Sequence, residues 1–538
     1  MADLSTTFGT SASAKVLARS RVSLERVALW AGLAAAFGGG AFLRLWKINA
    51  LGFNTDEAVY AGQAAGIAHD PTLQPYFPVF RAHPLLFQTF LGIFYQGGTS
   101  DVLGRVIAAA VGVATIYVVY RLGTLLYGRR AGVIAALIFA FMPYHVVVTR
   151  QVLLDGPLTL FATLTLYCIA RFADSGRKQW LYAAGASMGL TTLSKESGIL
   201  MVGAVYAFFA LTPAIRLRLR DFLISVGIMV LVILPYPLAL ILGGKPKSGG
   251  EYLSWQLFRR PNHSLSFYPT EVPIAIGVGV ILAAIAGLWL LRHQASWRET
   301  LLLSWILVPA IFFELWPVKG FQYLLPTAAA VTVLAARMLG RWSPGKDLRL
   351  GRFRLPALWV GPAVAGVVAL SILLPSWDRI QPSNSDTFLA GSGGVPGGRE
   401  MGKWIRENVP EGSQFLALGP SMANIVQFYG HRKAFGLSVS PNPLHRNPSY
   451  EPVLNPDLKI RQNELQYIVW DAFSAARSEF FSRGLIKLVS HYNGRVVYTY
   501  SVTIKTDRGE IRKPVEIIYT VRPKTSQGAR SAVTNAGA

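Results

Sequence analysis

The sequence predicts a polytopic α-helical membrane protein, with about eleven transmembrane helices and a C-terminal soluble α/β domain. Three observations carry this prediction. Of 538 residues, 52% are hydrophobic and only 15% charged, with a mean hydropathy of +0.38; soluble proteins carry about a quarter charged residues. The apolar residues clump into runs of about 20, the length that crosses a bilayer as a helix. Every second connecting loop is basic. A purely soluble protein, a secreted disulfide scaffold and a disordered chain are thereby excluded. The single cysteine, Cys168, lies inside an apolar run, so no intramolecular disulfide or Cys metal cluster is expected. The net charge of +24 would suggest nucleic acid on a soluble protein. Here the basic loops absorb much of the excess, interleaved aromatic and basic motifs are absent, and no nucleic-acid partner is expected.

Residues 1–24 are small, polar and weakly basic, and read as a disordered cytoplasmic tail. No signal peptide is expected, because the next apolar run is long and lacks a clear cleavage site. The spans run over 27–46, 102–121, 131–149, 153–171, 180–195, 197–214, 222–243, 271–291, 300–317, 320–338 and 355–375. Lys195 and Glu196 interrupt one long apolar stretch between the fifth and sixth. Lys and Arg gather at 15–26, 121–130, 171–178, 216–220, 292–298 and 337–354, on alternate loops. By the positive-inside rule the N-terminus is cytoplasmic and everything after residue 375 is outside. The protein should be a multi-pass plasma-membrane protein.

The outer side holds three informative places. In the long loop 49–101, Asn54-Thr55-Asp56-Glu57 opens a helical pattern through Tyr60, Gln63 and Ile67, and a second runs from His83-Pro84 to Tyr95. Both read as helices along the membrane surface. The second place is the turn from His145 through Arg150 to Asp155 and Pro157. The third is Ser194-Lys195-Glu196-Ser197. Asp56, Arg150, Asp155 and Lys195 thus share one face of the membrane. Each has a plain structural reading as well. Asn54 and Glu57 fit a capping box, and Asp155 before Pro157 fits an N-cap. Lys195 fits a snorkelling anchor, His83 and His145 fit packing residues, and Phe87, Phe90 and Phe94 fit a lipid-facing stripe. Acids and bases on one face favour a reaction there, whereas a transporter would place them near the midplane.

Taken in order, Asp56-Glu57-x-x-Tyr60, His83-Pro84-Leu85, Arg150-x4-Asp155, Ser194-Lys195 and Gln322-Tyr323-Leu324-Leu325-Pro326 resemble the GT-C glycosyltransferases of the dolichyl-phosphate-mannose protein mannosyltransferase and aminoarabinose transferase type. The resemblance covers about residues 27–340. It implies a transferase that takes a sugar from a polyprenyl phosphate and passes it, with inversion, to a glycan, lipid or protein acceptor of the cell envelope. It implies Asp56 as the catalytic carboxylate, with Glu57 and Asp155 as accompanying acids. It places Lys195 at the donor phosphate, with Arg150 and His83 as further phosphate candidates, and Tyr60 and Tyr323 at the substrate. Leu85 stands where the family has a second proline, and Ser-Lys-Glu replaces the commoner Thr-Lys-Gly. The chemistry stands independently: an attacking hydroxyl needs a base, and a departing phosphate needs cations or a metal. Two acids plus His83 leave room for a divalent metal, but no closed ligand set is evident, so no cofactor is assigned.

Residues 376–398 read as a linker containing Gly391–Gly398. Residues 399–523 form the α/β domain. Helices are expected at 399–408, 422–429 and 476–491, and strands at 415–419, 433–439, 465–470, 496–503 and 514–521, in a mostly parallel sheet. No Gly-rich nucleotide fingerprint follows a strand. The loop Ser440–Tyr450, rich in Pro, Asn, His and Arg, reads as a rigid surface loop, or as a segment that covers the membrane site or grips an acceptor. Residues 524–538 read as disordered. The competing functions are a lipid-linked sugar flippase, which needs no base, and a scaffold whose outer domain only binds glycan.

Overall fold

A computed structural model describes residues 25–341, 348–350, 353–355, 357–384, 394–506 and 509–523. The expected tails at 1–24 and 524–538 lie outside the described residues, as does much of the 376–398 linker. The last apolar helix continues past 375, to Arg379.

Each of the eleven expected spans coincides with a helix or a bent helix pair. Six helices are long and apolar enough to cross a membrane: Glu25–Leu45, Asp101–Tyr127, Asp155–Ser175, Leu219–Leu242, Phe321–Arg341 and Trp359–Arg379. Two bent pairs pass the same test together, Arg129–Phe141 with Pro143–Thr149 at 60° and Phe267–Ile276 with Val278–Leu290 at 95°. Pro143 and Gly277 mark the two breaks. Proline removes the helical N–H, and Gly277, at φ 103°, takes a conformation that side chains oppose. Lys178–Ser194, Leu200–Leu211 and Trp297–Leu315 fall at the remaining three expected spans but do not meet the same test, so six to eight crossings are supported by length and composition. Exposed Leu, Ile, Val and Trp cover the outside of this bundle, as expected where lipid is the solvent.

Polar staples tie the interior. Arg44 is fully buried and donates from Nη1 to the carbonyls of Gly40 (2.7 Å) and Ala140 (3.1 Å) and from Nε to Thr149 Oγ1 (2.9 Å). Its Nη2 lies 2.6 Å from Nδ1 of His145, which makes His145 a packed structural residue. At the other end, Glu299 accepts from Tyr127 (2.7 Å) and pairs with Arg337 (3.0 Å). Both staples join segments distant in sequence; Glu299 and Arg337 compensate each other's charge, while Arg44 is met by neutral acceptors.

The first loop is helical as expected, over Thr55–Ile67 and Leu86–Tyr95. Gly92 lets them pack closely, since a Cβ there would lie 3.0 Å from the Ala64 carbonyl, and Gly62 makes room for Phe77 of the connecting segment. The expected lipid-facing stripe is split. Phe90 and Phe94 are exposed, but Phe87 is buried in the core.

Besides a short hairpin, β1 (Leu348–Leu350) with β2 (Phe353–Leu355), the strands lie in the C-terminal domain. They are β3 (Gln414–Ala417), β4 (Lys433–Gly436), β5 (Tyr467–Asp471), β6 (Arg495–Thr506) and β7 (Gly509–Thr520), in the order β4-β3-β5-β7-β6. The sheet is mixed rather than mostly parallel. β4, β3 and β5 run parallel, while β7 is antiparallel to both β5 and β6. Apolar clusters cover both faces, one against the helices Gly398–Asn408 and Pro420–Gly430, the other against Glu479–His491.

This domain is docked on the first loop. Tyr429 donates to Asp101 Oδ2 (2.7 Å) and accepts from the Phe53 amide (2.7 Å). Arg399 pairs with Asp101 (2.7 Å) and donates to the carbonyls of Asn49 (2.8 Å) and Leu51 (3.0 Å). Phe428 packs on Phe53, with ring centroids 5.1 Å apart.

Candidate active site

A cavity of about 630 Å³ opens between the bundle, the first loop and the C-terminal domain. Its lining includes Asp56, Tyr60, Arg81, His83, Lys195, Glu196, Tyr252, Arg259, Tyr323 and Arg446. Phe312, Phe313 and Trp316 form an apolar flank. The loop expected to cover the site, grip an acceptor or lie idle contributes Ser440, His445, Arg446, Asn447, Ser449 and Tyr450. It is therefore part of the wall.

Asp56 is set by its helix start. Asn54 Oδ1 accepts from the amides of Asp56 (2.9 Å) and Glu57 (3.0 Å), and Glu57 Oε2 accepts from the Asn54 amide (3.1 Å), a complete capping box. One turn on, Tyr60 and then Gln63 face the same cavity, as the i, i+4, i+7 spacing requires. Among the described residues, the Asp56 carboxylate has no hydrogen bond or ion pair to another side chain. Burial lifts its pKa above the usual carboxylate range. Lys195 and His83 pull it down, and Asp155 and Glu57 push it up. A carboxylate with a raised pKa and open lone pairs suits proton abstraction.

Glu57 goes elsewhere. It is fully buried, and Arg105 grips it from Nε (2.7 Å) and Nη2 (2.6 Å). Its remaining lone pairs take the amides of Val152 (3.1 Å) and Asn54 (3.1 Å). Expected beside Asp56 as a catalytic acid, it instead fastens the first loop to the bundle and does not line the cavity.

Asp155 and Lys195 form a buried pair. Lys195 Nζ is 2.9 Å from Oδ1 and 3.1 Å from Oδ2 of Asp155, and it lies 5.0 Å from the Tyr323 ring centroid. Neither plain structural reading fits. Asp155 is the first residue of its helix without capping it, and Lys195 is 5% exposed rather than snorkelling. Gly198 lets the Lys195-Glu196 turn fold tightly, since a Cβ there would be 2.6 Å from the Thr191 carbonyl. The next residue, Glu196, accepts from or pairs with His83 Nδ1 at 2.8 Å. Burial opposes the charge of Glu196, but His83 and Lys195 hold it below the usual carboxylate range. The two places where the sequence departs from the family pattern, His83-Pro84-Leu85 and Lys195-Glu196, thus meet in space.

Arg150 stands apart from this cavity. It donates to the carbonyls of Leu43 and Trp46 and lines a small separate pocket with Lys47 and Gln151. Three cavity cations carry no ion pair among the described residues: Arg81, stacked on Tyr450 at 5.2 Å, Arg259, stacked on Trp255 at 5.0 Å, and Arg446. Sequence reading singled out the loop that carries Arg446 but missed Arg81 and Arg259. Those two lie on segments with no apolar periodicity, and only their stacking and convergence single them out.

Among the described residues, no group of three or more His, Cys, Asp or Glu could hold a metal ion. Asp155 is engaged by Lys195, and His83 by Glu196.

Comparison with known proteins agrees with this architecture. The family described as dolichyl-phosphate-mannose-protein mannosyltransferase matches residues 82–240. An undecaprenyl phosphate-alpha-4-amino-4-deoxy-L-arabinose arabinosyl transferase of Serratia proteamaculans is 28% identical over 247 residues, 41% of this chain and 42% of that protein. Its counterpart in Pectobacterium carotovorum is 26% identical over 288 residues, 49% of this chain and 50% of its own length. The chain thus spans half or less of the length of these relatives. Among solved structures, ArnT from Cupriavidus metallidurans bound to undecaprenyl phosphate superposes with a TM-score of 0.66 at 16% identity, covering 91% of this chain and 98% of that one. The Archaeoglobus fulgidus oligosaccharyltransferase gives 0.56 at 15% identity, covering 90% of this chain and 74% of that one. The chain is a helical membrane protein with the GT-C fold, and its resemblance to polyprenyl-phosphate-dependent glycosyltransferases extends from motif to fold.

Proposed function

We propose that the protein is a membrane glycosyltransferase that moves a sugar from a polyprenyl-phosphate donor to an acceptor hydroxyl on the extracytoplasmic face, with inversion. All eleven helical segments cross the membrane in this reading. The N-terminus is cytoplasmic, and the cavity and the C-terminal domain face outward. The observation that carries the proposal is the Asp56 carboxylate, open and desolvated, in a cavity that also holds Lys195 and unpaired guanidinium groups.

The polyprenyl chain lies along Phe312, Phe313 and Trp316, which brings its phosphate to headgroup level beside Tyr323. Arg259 and Lys195 both act electrostatically on Tyr323 and receive the phosphate charge. Asp56 accepts the proton of the acceptor hydroxyl as its oxygen bonds to the anomeric carbon. The bond from that carbon to the phosphate oxygen breaks on the opposite side, and the phosphate leaves with the electron pair. Asp155 fixes the Lys195 ammonium, and Tyr60 borders the sugar. His83 and Glu196 form the adjoining wall.

The exporter reading needs no open carboxylate, and the proteins matched above are glycosyltransferases. The test compares lipid-linked sugars and envelope glycans in a strain with and without the gene. The proposal expects one polyprenyl-phosphate sugar to accumulate and one glycan, lipid or protein to lose that sugar. Unchanged pools of both would contradict it.

A further inference from the structure

We infer that the C-terminal domain sets the catalytic base: Asn424 and Tyr429, on its helix Pro420–Gly430, are positioning residues that fix the chain from which Asp56 projects. This rests on the transferase reading above and adds to it what the outer domain does in the reaction.

Among the described residues the Asp56 carboxylate has no side-chain partner, so its place depends on the backbone that leads into its helix. A reacting group must be held to within about 0.5 Å of its productive place, and a displacement of about 1 Å can cost about a hundredfold in rate. The bundle holds part of this lead-in. Arg105 donates from Nη1 to the carbonyls of Ile48 (3.0 Å) and Leu51 (2.7 Å) and from Nη2 to that of Gly52 (2.7 Å). Gln151 accepts from the Asn54 side chain at 2.6 Å. The residues on either side of Asn54 are taken by one helix of the C-terminal domain. The Phe53 amide donates to the Tyr429 hydroxyl (2.7 Å), and Asn424 Nδ2 donates to Thr55 Oγ1 (3.1 Å). Asn54 is the residue that caps the Asp56 helix, so the domain brackets the cap itself.

The geometry is that of a clamp rather than of plain adhesion. Asn424 is 2% exposed and Phe53 is fully buried. The Phe53 ring lies between the Arg105 guanidinium at 5.2 Å and the Phe428 ring at 5.1 Å, one from the bundle and one from the domain. Thr55 directly precedes Asp56, and Pro420, the first residue of the clamping helix, lines the catalytic cavity. The seam has adhesive bonds elsewhere, such as the Tyr76 hydroxyl donating to the His431 carbonyl at 2.8 Å. Adhesion alone would need no hydrogen bond at the two residues that flank the cap.

The test uses variants of the purified full chain. Asn424→Ala and Tyr429→Phe each remove one grip, and Thr55→Val removes the Asn424 bond from its other end. Tyr76→Phe removes a seam bond that does not reach residues 53–55. Each is checked for binding of undecaprenyl phosphate by thermal shift. Each is then given a polyprenyl-phosphate-linked sugar and the acceptor found from the strain comparison. The inference expects kcat to fall about tenfold or more in Asn424→Ala and Tyr429→Phe, with KM for both substrates nearly unchanged. Asn424→Ala combined with Thr55→Val should lose no more than either alone, and Tyr76→Phe should keep its kcat. Hydrogen exchange of the peptide spanning residues 53–57 should quicken in Asn424→Ala and not in Tyr76→Phe. An unchanged kcat in Asn424→Ala would overturn the inference. So would equal losses in Asn424→Ala and Tyr76→Phe, which would mean adhesion alone. Tyr429 also bonds Asp101, so if Tyr429→Phe fails to fold, the Asn424 and Thr55 arms decide. If the wild type transfers no sugar, the transferase reading falls; the exchange arm then judges the clamp by itself, and unchanged exchange in Asn424→Ala would overturn it.

Discussion

Asp155 and Lys195 show what separates a residue's local reading from its role. Forty positions apart, each has an adequate local explanation as a cap or an anchor. Only the packing of their helices makes them a buried pair at 2.9 Å. Removing one partner from such a pair typically costs about 3–5 kcal/mol, because the other charge is left stranded. Lys195→Ala and Asp155→Ala should each lower the melting temperature of the purified protein strongly. The double variant should lose clearly less than the sum. Additive losses would mean that the pair is not coupled. Asp56 makes a kinetic prediction. A base must be ionised to act, and burial lifts the Asp56 pKa. The rate should therefore fall as pH falls through a value above the ordinary carboxylate range of about 4. A kcat/KM profile whose acid limb stays at or below that range would place the base elsewhere.

At the scale of elements, most of the chain was legible, and the errors have physical reasons. The first-loop helix was readable from Asn54 to Glu57 because a capping box is a local device. Asn54→Ala should cost about 1 kcal/mol, measured by denaturation of the purified protein. The sheet was misread by extending a strand–helix alternation past its end. β6 and β7 have no helix between them, and a parallel pair needs a crossover. The antiparallel pairing of β5 with β7 places Glu516 beside Asp471, both buried. Burial raises Asp471 to about 6, although Ser474 donates to it. A carboxyl whose folded pKa lies above its unfolded value binds its proton more tightly when folded. Stability should then decline as pH rises from about 4 to about 6, and Asp471→Asn should remove part of that slope. A variant whose melting temperature follows pH as the wild type does would refute this.

At the scale of the whole molecule, the apolar runs and alternating basic loops made the bundle readable, because both record a single solvent boundary. The cavity was only half readable. Its floor comes from motifs in the first 200 residues, but its far wall belongs to a domain more than 200 residues later, docked through Asp101, Arg399 and Tyr429. No periodicity announces that return. The proposed orientation has its own test. A reporter active only in the cytoplasm, fused after Ala538, should stay silent; strong activity would reverse the topology.

The transfer step itself is tested most directly by Asp56→Asn. Asn caps helices about as well as Asp, so the variant keeps size and fold and loses the charge and basicity. Purified wild type and variant, matched for melting temperature and for binding of undecaprenyl phosphate, are given a polyprenyl-phosphate-linked sugar and the acceptor found from the glycan comparison. Transfer should fall by about 10²–10⁴ in the variant while donor binding holds. Near-wild-type turnover would reduce Asp56 to a residue of its helix start and contradict the account.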